Sequence, residues 1–389
     1  MKMLIKNANI ITPFEIKRNS SLVVENGKIS AVFSGDTIDE TGFAEVVDAA
    51  GKYLAPGFID IHNHGNFGHD TMEGTDEAVR SMADQHLQHG VTSFLLTTMT
   101  SAMGDIEKAL RKAAEYTKAE VDAERPVAQV LGVYLEGPYF SEEKKGAQPA
   151  EHLKEISVSE LQGLIEAAQN TIRVASLAPE LDGAVEAVRF LKEQGITVAA
   201  GHSMATFAQT KAAADAGLTL ATHLYNGMRN FSHREPGIIG AVLTDERVYG
   251  EIICDGIHVH VGAMDLAVKA KGKDRIVLVT DAMMAAGMPD GVYELGGQTV
   301  YVKDGTATLE DGTLAGSTLT MNKAVYNMVN LVNVPLQDAV RMASLNPATA
   351  IGVSDRKGSI ELGKDADLII FDDNLDVSWA AVQGKPRRM

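Results

Sequence analysis

The feature that most constrains the fold of this chain is a series of eight short apolar segments, most of them followed by a helical pattern. Each segment is six or seven residues long, a length typical of buried strands. Alternating strands and helices favour an α/β fold with a parallel sheet, and eight such units favour closure into a (β/α)8 TIM-like barrel over an open sheet. The segments span residues 57–62, 91–97, 130–136, 172–177, 196–202, 218–223, 248–254 and 275–281.

Both ends of the chain show a different, β-rich pattern. Residues 3–12 and 21–33 carry short β-type runs, and Asn26-Gly27 predicts a hairpin turn. Residues 358–374 have the same character, so we expect both termini to build one small β-sandwich domain. The predicted division is a first β-domain part over residues 1–55, a catalytic barrel over 56–353 and a second β-domain part over 354–389.

A further β-type segment interrupts the barrel pattern before the last helices. Residues 287–312 contain several glycines between alternating apolar residues. This pattern predicts a β-hairpin insertion.

The charge of the chain restricts its partners. Lys and Arg number 35 and Asp and Glu 52, a formal net charge of −17. Such a surface disfavours nucleic acid and anionic membranes, and a small anionic substrate would need a local basic pocket. The apolar run over residues 3–11 contains Lys6 and Asn7 and lacks a cleavage pattern, and no segment reaches the length of a membrane span. We therefore expect a soluble, cytoplasmic protein.

Metal-ligating residues follow several of the predicted strands. Catalytic groups of (β/α)8 barrels lie at the carboxyl ends of the strands. A single histidine at a strand end is more often a core or loop residue than a ligand, but here six candidates fall on five strands. They are His62, His64, Glu136, His202, His223 and Asp281.

These residue types suit a divalent metal ion. His62 and His64 are two apart in an extended segment, so their side chains point the same way. The single cysteine, Cys254, excludes an internal disulfide and a thiolate cluster. Imidazole and carboxylate ligands suit Zn²⁺ or Fe²⁺, which lower the pKa of a bound water, and Asp281 would act as its general base. Such a site needs no organic cofactor.

Other histidines lie away from these strand ends. His86, His89 and His152 fall in helix or loop patterns, and we expect them on the solvated surface. The positions of His69 and His260 favour neither a surface nor a site prediction.

Several sequence blocks resemble a known family. The segment PGFIDIHNHG (56–65), with the later His, His and Asp, resembles the amidohydrolase superfamily, which hydrolyses amides on metal-bearing barrels. Downstream blocks resemble, more narrowly, the N-acetylglucosamine-6-phosphate deacetylases, and the resemblance covers nearly the full chain. These blocks span residues 133–149, 201–206, 222–241, 254–260, 278–283 and 314–321.

The resemblance implies roles for residues of this chain. Glu136, His202 and His223 would hold the main metal, and Asp281 would be the catalytic acid and base. Arg234 would bind the phosphate, for which its fixed fork of donors is suited, although a surface ion pair with Glu235 is the alternative. The implied substrate-binding residues are Ala147, Gln148, Asn226, Gly227, Arg234, Asp255, His258, Leu314, Ala315 and Gly316.

Two departures from the family pattern bear on the metal count. Some members carry His-X-Gln where this chain has His62-Asn63-His64, so the chain allows a second ion bridged through Glu136, and one or two divalent ions per subunit stay open. Some members also carry a histidine where this chain has Gln148. Either Gln148 donates to the acetyl carbonyl or a second ion polarises it, and we favour the second.

The resemblance implies hydrolysis of N-acetylglucosamine 6-phosphate to glucosamine 6-phosphate and acetate by a homodimer, with attack by a metal-bound hydroxide. A deacetylase for the galacto epimer is one rival, and the sequence does not discriminate the two sugars. A cyclic amidase is a second, but the fourth predicted strand and its end (172–180) offer no bridging lysine. A non-catalytic scaffold is a third, but it would have lost metal ligands that this chain retains.

Overall fold

The computed structural model describes residues 2–35, 39–122 and 124–389. The predicted first β-domain part includes residues 1 and 36–38, which lie outside the described residues. The N-terminal strands are β1 (Lys2–Ile11), β2 (Ile16–Glu25), β3 (Lys28–Ser34), β4 (Glu45–Asp48) and β5 (Tyr53–Pro56). Asn26 and Gly27 form the predicted hairpin turn between β2 and β3, with φ of 51° and 79°, as a primed turn requires.

A parallel barrel sheet follows, and it confirms the predicted fold class. The strands of this part of the chain are β6 (Phe58–Asp60), β7 (Gly65–Asn66), β8 (His69–Asp70), β9 (Val91–Thr97), β10 (Gln129–Glu136), β11 (Ile172–Leu177), β12 (Thr197–Ala200), β13 (Leu220–Ala221), β14 (Tyr249–Ile253) and β15 (Ile276–Val279). In the described residues the barrel sheet contains eight of them in the order β15-β14-β13-β12-β11-β10-β9-β6, while β7 pairs with β8 alone. The Asp281 N–H donates to the His62 carbonyl over 2.9 Å and so links the last strand to the first.

Several barrel strands end earlier than the sequence predicts. The strands β12, β13 and β15 stop two residues short of His202, His223 and Asp281. These three residues have φ of 45°, 28° and 48°, which a strand ladder does not tolerate. The backbone therefore turns where the candidate site begins.

Helices surround the barrel and bury their apolar faces on it. In α1 the buried positions include Val79, Met82, Ala83 and Leu87, a helical spacing that places one stripe against the strands. The helices are α1 (Asp76–Gln88), α2 (Met103–Thr117), α3 (Val158–Ala167), α4 (Ala184–Glu193), α5 (Phe207–Ala216), α6 (Gly237–Thr244), α7 (Val261–Lys271), α8 (Met321–Asn330), α9 (Leu336–Ala343) and α10 (Leu345–Ala350).

The predicted hairpin insertion is a separate antiparallel sheet with one strand more than expected. It consists of β16 (Gly291–Leu295), β17 (Gln298–Lys303) and β18 (Thr306–Thr308). Its side chains, among them Leu295 and Val300, share an apolar cluster with Met99, Ala147 and Met283. This cluster fixes the insertion over the mouth of the barrel, because Ala147 and Met283 lie in segments that follow barrel strands.

The C-terminal strands return to the N-terminal β-domain, as predicted. They are β19 (Leu368–Phe371), β20 (Val377–Val382) and β21 (Lys385–Arg388), and the sheet order is β21-β20-β19-β5-β1-β2-β3 with β4 on β1. Leu22, Leu54 and Trp379 belong to its own apolar cluster. No helix in the described ranges has the length and apolar character that crossing a membrane requires.

Candidate active site

The six predicted metal-site residues converge at the carboxyl end of the barrel, around Glu136. One Glu136 oxygen, Oε1, lies 3.2 Å from Nε2 of His202 and 3.3 Å from Nε2 of His223. The other, Oε2, lies 3.2 Å from Nε2 of His64. Two groups that could hold an ion therefore share Glu136: His202 and His223 with Glu136, and His62 and His64 with Glu136.

The first group fits a divalent cation because its lone pairs point at one another. His202 donates its Nδ1–H to the Lys144 carbonyl over 2.9 Å, and His223 donates its own to the Asn226 carbonyl over 3.1 Å. Each neutral ring then carries a lone pair on Nε2, and these two atoms are only 3.1 Å apart. A cation between them and the Glu136 carboxylate removes the repulsion.

The second group fits a cation on an independent observation. The Nε2 of His62 is buried and has no hydrogen-bond partner among the described residues. It faces the carboxylates of Glu136 at 3.6 Å and Asp281 at 3.5 Å, beyond an ordinary hydrogen bond. A buried nitrogen left between two carboxylates suits a metal ligand.

The backbone around the site is held in unusual conformations. His202, His223 and Asp281 all adopt positive φ, which is uncommon for residues other than glycine and concentrates at functional sites. Gly227 is required by close approach, because a Cβ there would lie 2.9 Å from Nδ1 of His202. The loop carrying Gly227 therefore packs directly on a candidate ligand.

The charged side chains of the site stabilise one another in their ionised forms. Burial opposes ionisation of Asp281, but the nearby His62, His64 and His223 outweigh it and lower its pKa to about 2. Burial likewise disfavours the charged form of His62, but Asp281, Glu251 and Glu136 raise its pKa to about 9. Without a metal, Asp281 is thus ionised and His62 protonated at neutral pH.

A cavity of about 220 Å³ opens onto Glu136 and Asp281. It is lined by most of the predicted substrate-binding residues: Ala147, Gln148, Asn226, Gly227, His258, Leu314 and Gly316. Ala315 is fully buried in the cluster under the insertion. Asp255 accepts a 2.6 Å hydrogen bond from Nδ1 of His258 and so orients that lining residue.

Arg234, like Asp255 and Ala315, is a predicted substrate-binding residue that does not line this cavity. It is exposed and is not part of the cavity lining. The alternative ion pair with Glu235 is not formed, and Oε1 of Glu235 accepts instead the backbone N–H groups of Phe207 at 2.9 Å and Gly237 at 3.0 Å. Arg234 therefore remains available to another anion.

The side-chain amide of Gln148 is hydrogen-bonded to the carboxylate of Glu136. Its Oε1 accepts from the Thr100 N–H over 2.9 Å, which fixes the amide orientation. Its Nε2 then donates to Oε2 of Glu136 over 2.8 Å. One N–H hydrogen of Gln148 is left for a bound ligand.

Three buried groups around the site escaped the sequence reasoning. Glu251, on β14, contacts His62 and His223, and Asp60 accepts from the His62 N–H. The surface prediction for His86 is wrong, because the residue is buried and bonds to Asn63 Oδ1 over 3.0 Å, and burial lowers its pKa to about 3. The helical spacing of His86 with Val79, Met82 and Ala83 could have revealed this.

Comparisons with known proteins give a consistent result. The amidohydrolase family model matches residues 53–387. The N-acetylgalactosamine-6-phosphate deacetylase of Escherichia coli O157:H7 is 45% identical over 340 residues, covering 87% of this chain and 89% of that protein. The N-acetylglucosamine-6-phosphate deacetylase of Bacillus subtilis (strain 168) is 41% identical over 382 residues, covering 98% and 96%.

Solved structures agree with these relatives. The crystal structure of N-acetylglucosamine-6-phosphate deacetylase from Pasteurella multocida superposes with a TM-score of 0.94 at 36% identity, covering 100% of both chains. A mutant of the Mycobacterium smegmatis enzyme in complex with N-acetyl-D-glucosamine-6-phosphate gives a TM-score of 0.92 at 32% identity, covering 99% of both.

We expect metal binding to the apo protein to release protons. The pKa of His62 is raised to about 9 and that of His64 well above its ordinary value, so a metal ion must displace protons at pH 7. Apparent metal affinity should therefore rise as the pH increases toward 9. Calorimetric titration with Zn²⁺ in buffers of different ionisation enthalpy measures the protons released, and a heat independent of the buffer would contradict this expectation.

Proposed function

We propose that this chain, which belongs to the amidohydrolase family and within it to the amino-sugar-6-phosphate deacetylases, hydrolyses N-acetylglucosamine 6-phosphate to glucosamine 6-phosphate and acetate in amino-sugar breakdown. The observation that carries the proposal is that Glu136, shared by two histidine groups, and Asp281 line the same small cavity. The curated relatives named for this activity match nearly the whole chain.

The cofactor in this proposal is one or two divalent ions per subunit, Zn²⁺ or Fe²⁺. Glu136, His202 and His223 would hold one, and His62 and His64 with Glu136 the other. A bound ion supplies a Lewis acid for the acetyl carbonyl and lowers the pKa of water.

Asp281 provides the proton transfers. Its backbone is fixed on both sides, since its N–H donates to the His62 carbonyl at 2.9 Å and its carbonyl accepts from the Ser317 N–H at 2.7 Å. Its ionised carboxylate lines the cavity and takes the proton of the attacking water. It then gives this proton to the departing nitrogen, which leaves as an amine only once protonated.

Cavity residues position the sugar. The Asp255 carboxylate accepts the backbone N–H groups of Ile257 and His258, each over 2.8 Å, and so orders the loop that presents the His258 ring. Across the cavity, Asn226 and Gly227 offer backbone groups to the sugar phosphate. Gln148, tied to Glu136, faces the acetyl end.

The phosphate site in this proposal is completed by a second copy of the chain. Arg234 is exposed outside the cavity, in the segment that continues from the lining residues Asn226 and Gly227. Phe231, in the same segment, and Ile257, next to the lining residue His258, are large apolar side chains that are 58% and 44% exposed. Exposed apolar groups in segments that line the cavity favour an interface, and a homodimer would carry Arg234 of one subunit to the anionic substrate of its partner.

A second candidate is the galacto epimer of the substrate. The 45% identity to the N-acetylgalactosamine-6-phosphate deacetylase supports it directly. The two sugars differ at a single hydroxyl, so both would place the acetamide and phosphate alike. For both candidates we place the reaction in the cytoplasm, in keeping with the buried Cys254 that forms no disulfide.

We expect acetate release from N-acetylglucosamine 6-phosphate by the purified protein, lost on chelation and restored by Zn²⁺ or Fe²⁺. The unphosphorylated sugar should be a poor substrate, because it lacks the anion that Arg234 and His258 bind. The galacto epimer measured in parallel decides between the two candidates by kcat/KM. Activity on neither phosphorylated sugar, with metal bound, would exclude both.

We expect Asp281→Asn to lower kcat by about 100- to 10,000-fold, because the amide does not transfer the proton. Metal content and substrate affinity should be retained, since the substitution preserves shape. Steady-state kinetics combined with elemental analysis test this, and an unchanged kcat would reject the role of Asp281.

We expect Arg234→Ala to raise KM for the phosphorylated sugar by about 10- to 100-fold, as expected for loss of one charge-assisted hydrogen bond. Arg189→Ala, an exposed arginine on α4, is the matched control and should keep the parent KM.

Mixing the Arg234→Ala and Asp281→Asn subunits tests the origin of the arginine. Each mixed dimer would contain one site in which both Asp281 and the partner's Arg234 are intact. Part of the parent's acetate release should therefore return. Kinetics unaffected by Arg234→Ala would reject the phosphate role, and failure of the mixture to regain activity would reject the shared site.

A further inference from the structure

We propose that Glu251 is a positioning residue that holds His62 for a second divalent ion, bound by His62, His64 and Glu136. Glu251 lies on β14, the seventh barrel strand, which contributes none of the predicted ligands. The inference rests on the proposed hydrolase function and deepens it, because it assigns a role to a buried residue that the proposed function does not use.

The contacts of Glu251 join the two histidine groups. Its side chain is fully buried, and Oε2 accepts the Nδ1–H of His62 over 3.0 Å. The same oxygen accepts the backbone N–H of His223 over 3.1 Å. One carboxylate oxygen thus fixes the ring of His62 and the backbone that carries His223.

This contact determines which nitrogen of His62 faces the site. With Nδ1–H donated to Glu251, the lone pair of His62 must lie on Nε2 when the ring is neutral. That atom is buried, has no hydrogen-bond partner in the described part of the chain, and faces Glu136 and Asp281. Glu251 therefore orients His62 so that Nε2 faces the site with a lone pair, as a metal ligand requires.

The anchor of His62 differs in chemistry from those of its neighbours. His202 and His223 donate Nδ1–H to the backbone carbonyls of Lys144 and Asn226. A carboxylate in this place makes the imidazole a stronger ligand than a carbonyl does, and outer partners of this kind typically change metal affinity 10- to 100-fold.

The charge around the histidines also favours a second cation. Three buried carboxylates, on Glu136, Glu251 and Asp281, surround the site, and within the described ranges their ion pairs are with histidines alone. Carboxylates concentrated in an interior without Lys or Arg partners are costly unless cations offset them. Two divalent ions supply more positive charge than one.

The test compares Glu251→Gln and Glu251→Leu with the parent in metal binding. In Glu251→Gln the amide oxygen can still accept from His62 and His223, and the amino group takes the place of Oε1, which has no hydrogen-bond partner among the described residues. Glu251→Gln thus removes the negative charge and keeps the hydrogen bonds to His62 and His223, whereas Glu251→Leu removes the charge and the hydrogen bonds. Asp245→Asn, which alters a buried carboxylate paired with Lys211 and Arg247, is the matched control.

Equilibrium dialysis of the metal-free proteins against Zn²⁺ gives the number and affinity of bound ions. We expect two ions per subunit in the parent and in Asp245→Asn. Glu251→Gln should weaken one ion by about 10- to 100-fold, and Glu251→Leu should retain only one. Thermal unfolding of the metal-free proteins establishes that the Gln variant is folded.

Two results would overturn the proposal: a single ion in the parent, or two ions bound by a folded Glu251→Gln and by Glu251→Leu with the parent's affinities. Acetate release by the parent is measured separately. A parent that binds two ions but releases no acetate leaves the metal assignment standing and rejects the proposed reaction. A parent that releases acetate but binds one ion supports the proposed reaction and rejects the metal assignment.

Discussion

The arrangement of the site depends on one carboxylate, that of Glu136, which both histidine groups share. Oε1 meets His202 and His223 and also faces His62, and Oε2 meets His64. These partners come from strand ends far apart in sequence, and only closure of the parallel sheet brings them within reach of one side chain. The anchors on the far side of the His62, His202 and His223 rings then decide which nitrogen of each faces inward. The lone pairs of the histidine rings and the negative charge of the carboxylates therefore converge on one point. A cation bound there would remove the repulsion between them.

The fold was largely predictable because its signal is periodic. Eight strand-type segments, the Asn26-Gly27 turn and the β-rich termini each follow from local pattern, and strand-end chemistry selected His62, His64, Glu136, His202, His223 and Asp281. Two kinds of buried position lie outside these signals. Glu251 lies inside an apolar strand and becomes notable only when the barrel places it behind His62. His86 lies in a helical pattern that suggests the surface, although its spacing with Val79, Met82 and Ala83 puts it on the buried face of α1.

Arg234 marks a different limit of sequence reasoning. A motif match assigns a residue to a function without stating which copy of the chain it serves. In one subunit this arginine is exposed and lies outside the cavity lining, and its sequence neighbour Glu235 is occupied by backbone N–H groups of Phe207 and Gly237. In the proposed homodimer its place in the site would depend on quaternary structure, which no pattern within a single chain encodes.

The insertion β16–β18 contributes to the cavity wall but carries none of the metal-site residues. Its strands pair with one another, and it meets the barrel mouth through an apolar cluster from which Leu295 reaches the cavity. The metal-site residues, in contrast, lie at or just beyond the barrel strand ends, and three of them are held by hydrogen bonds to Lys144, Asn226 and Glu251. Mutations in the insertion can therefore reshape the roof over a bound sugar while the reactive centre stays intact. A lineage could in this way change which amino sugar it accepts without passing through an inactive ancestor.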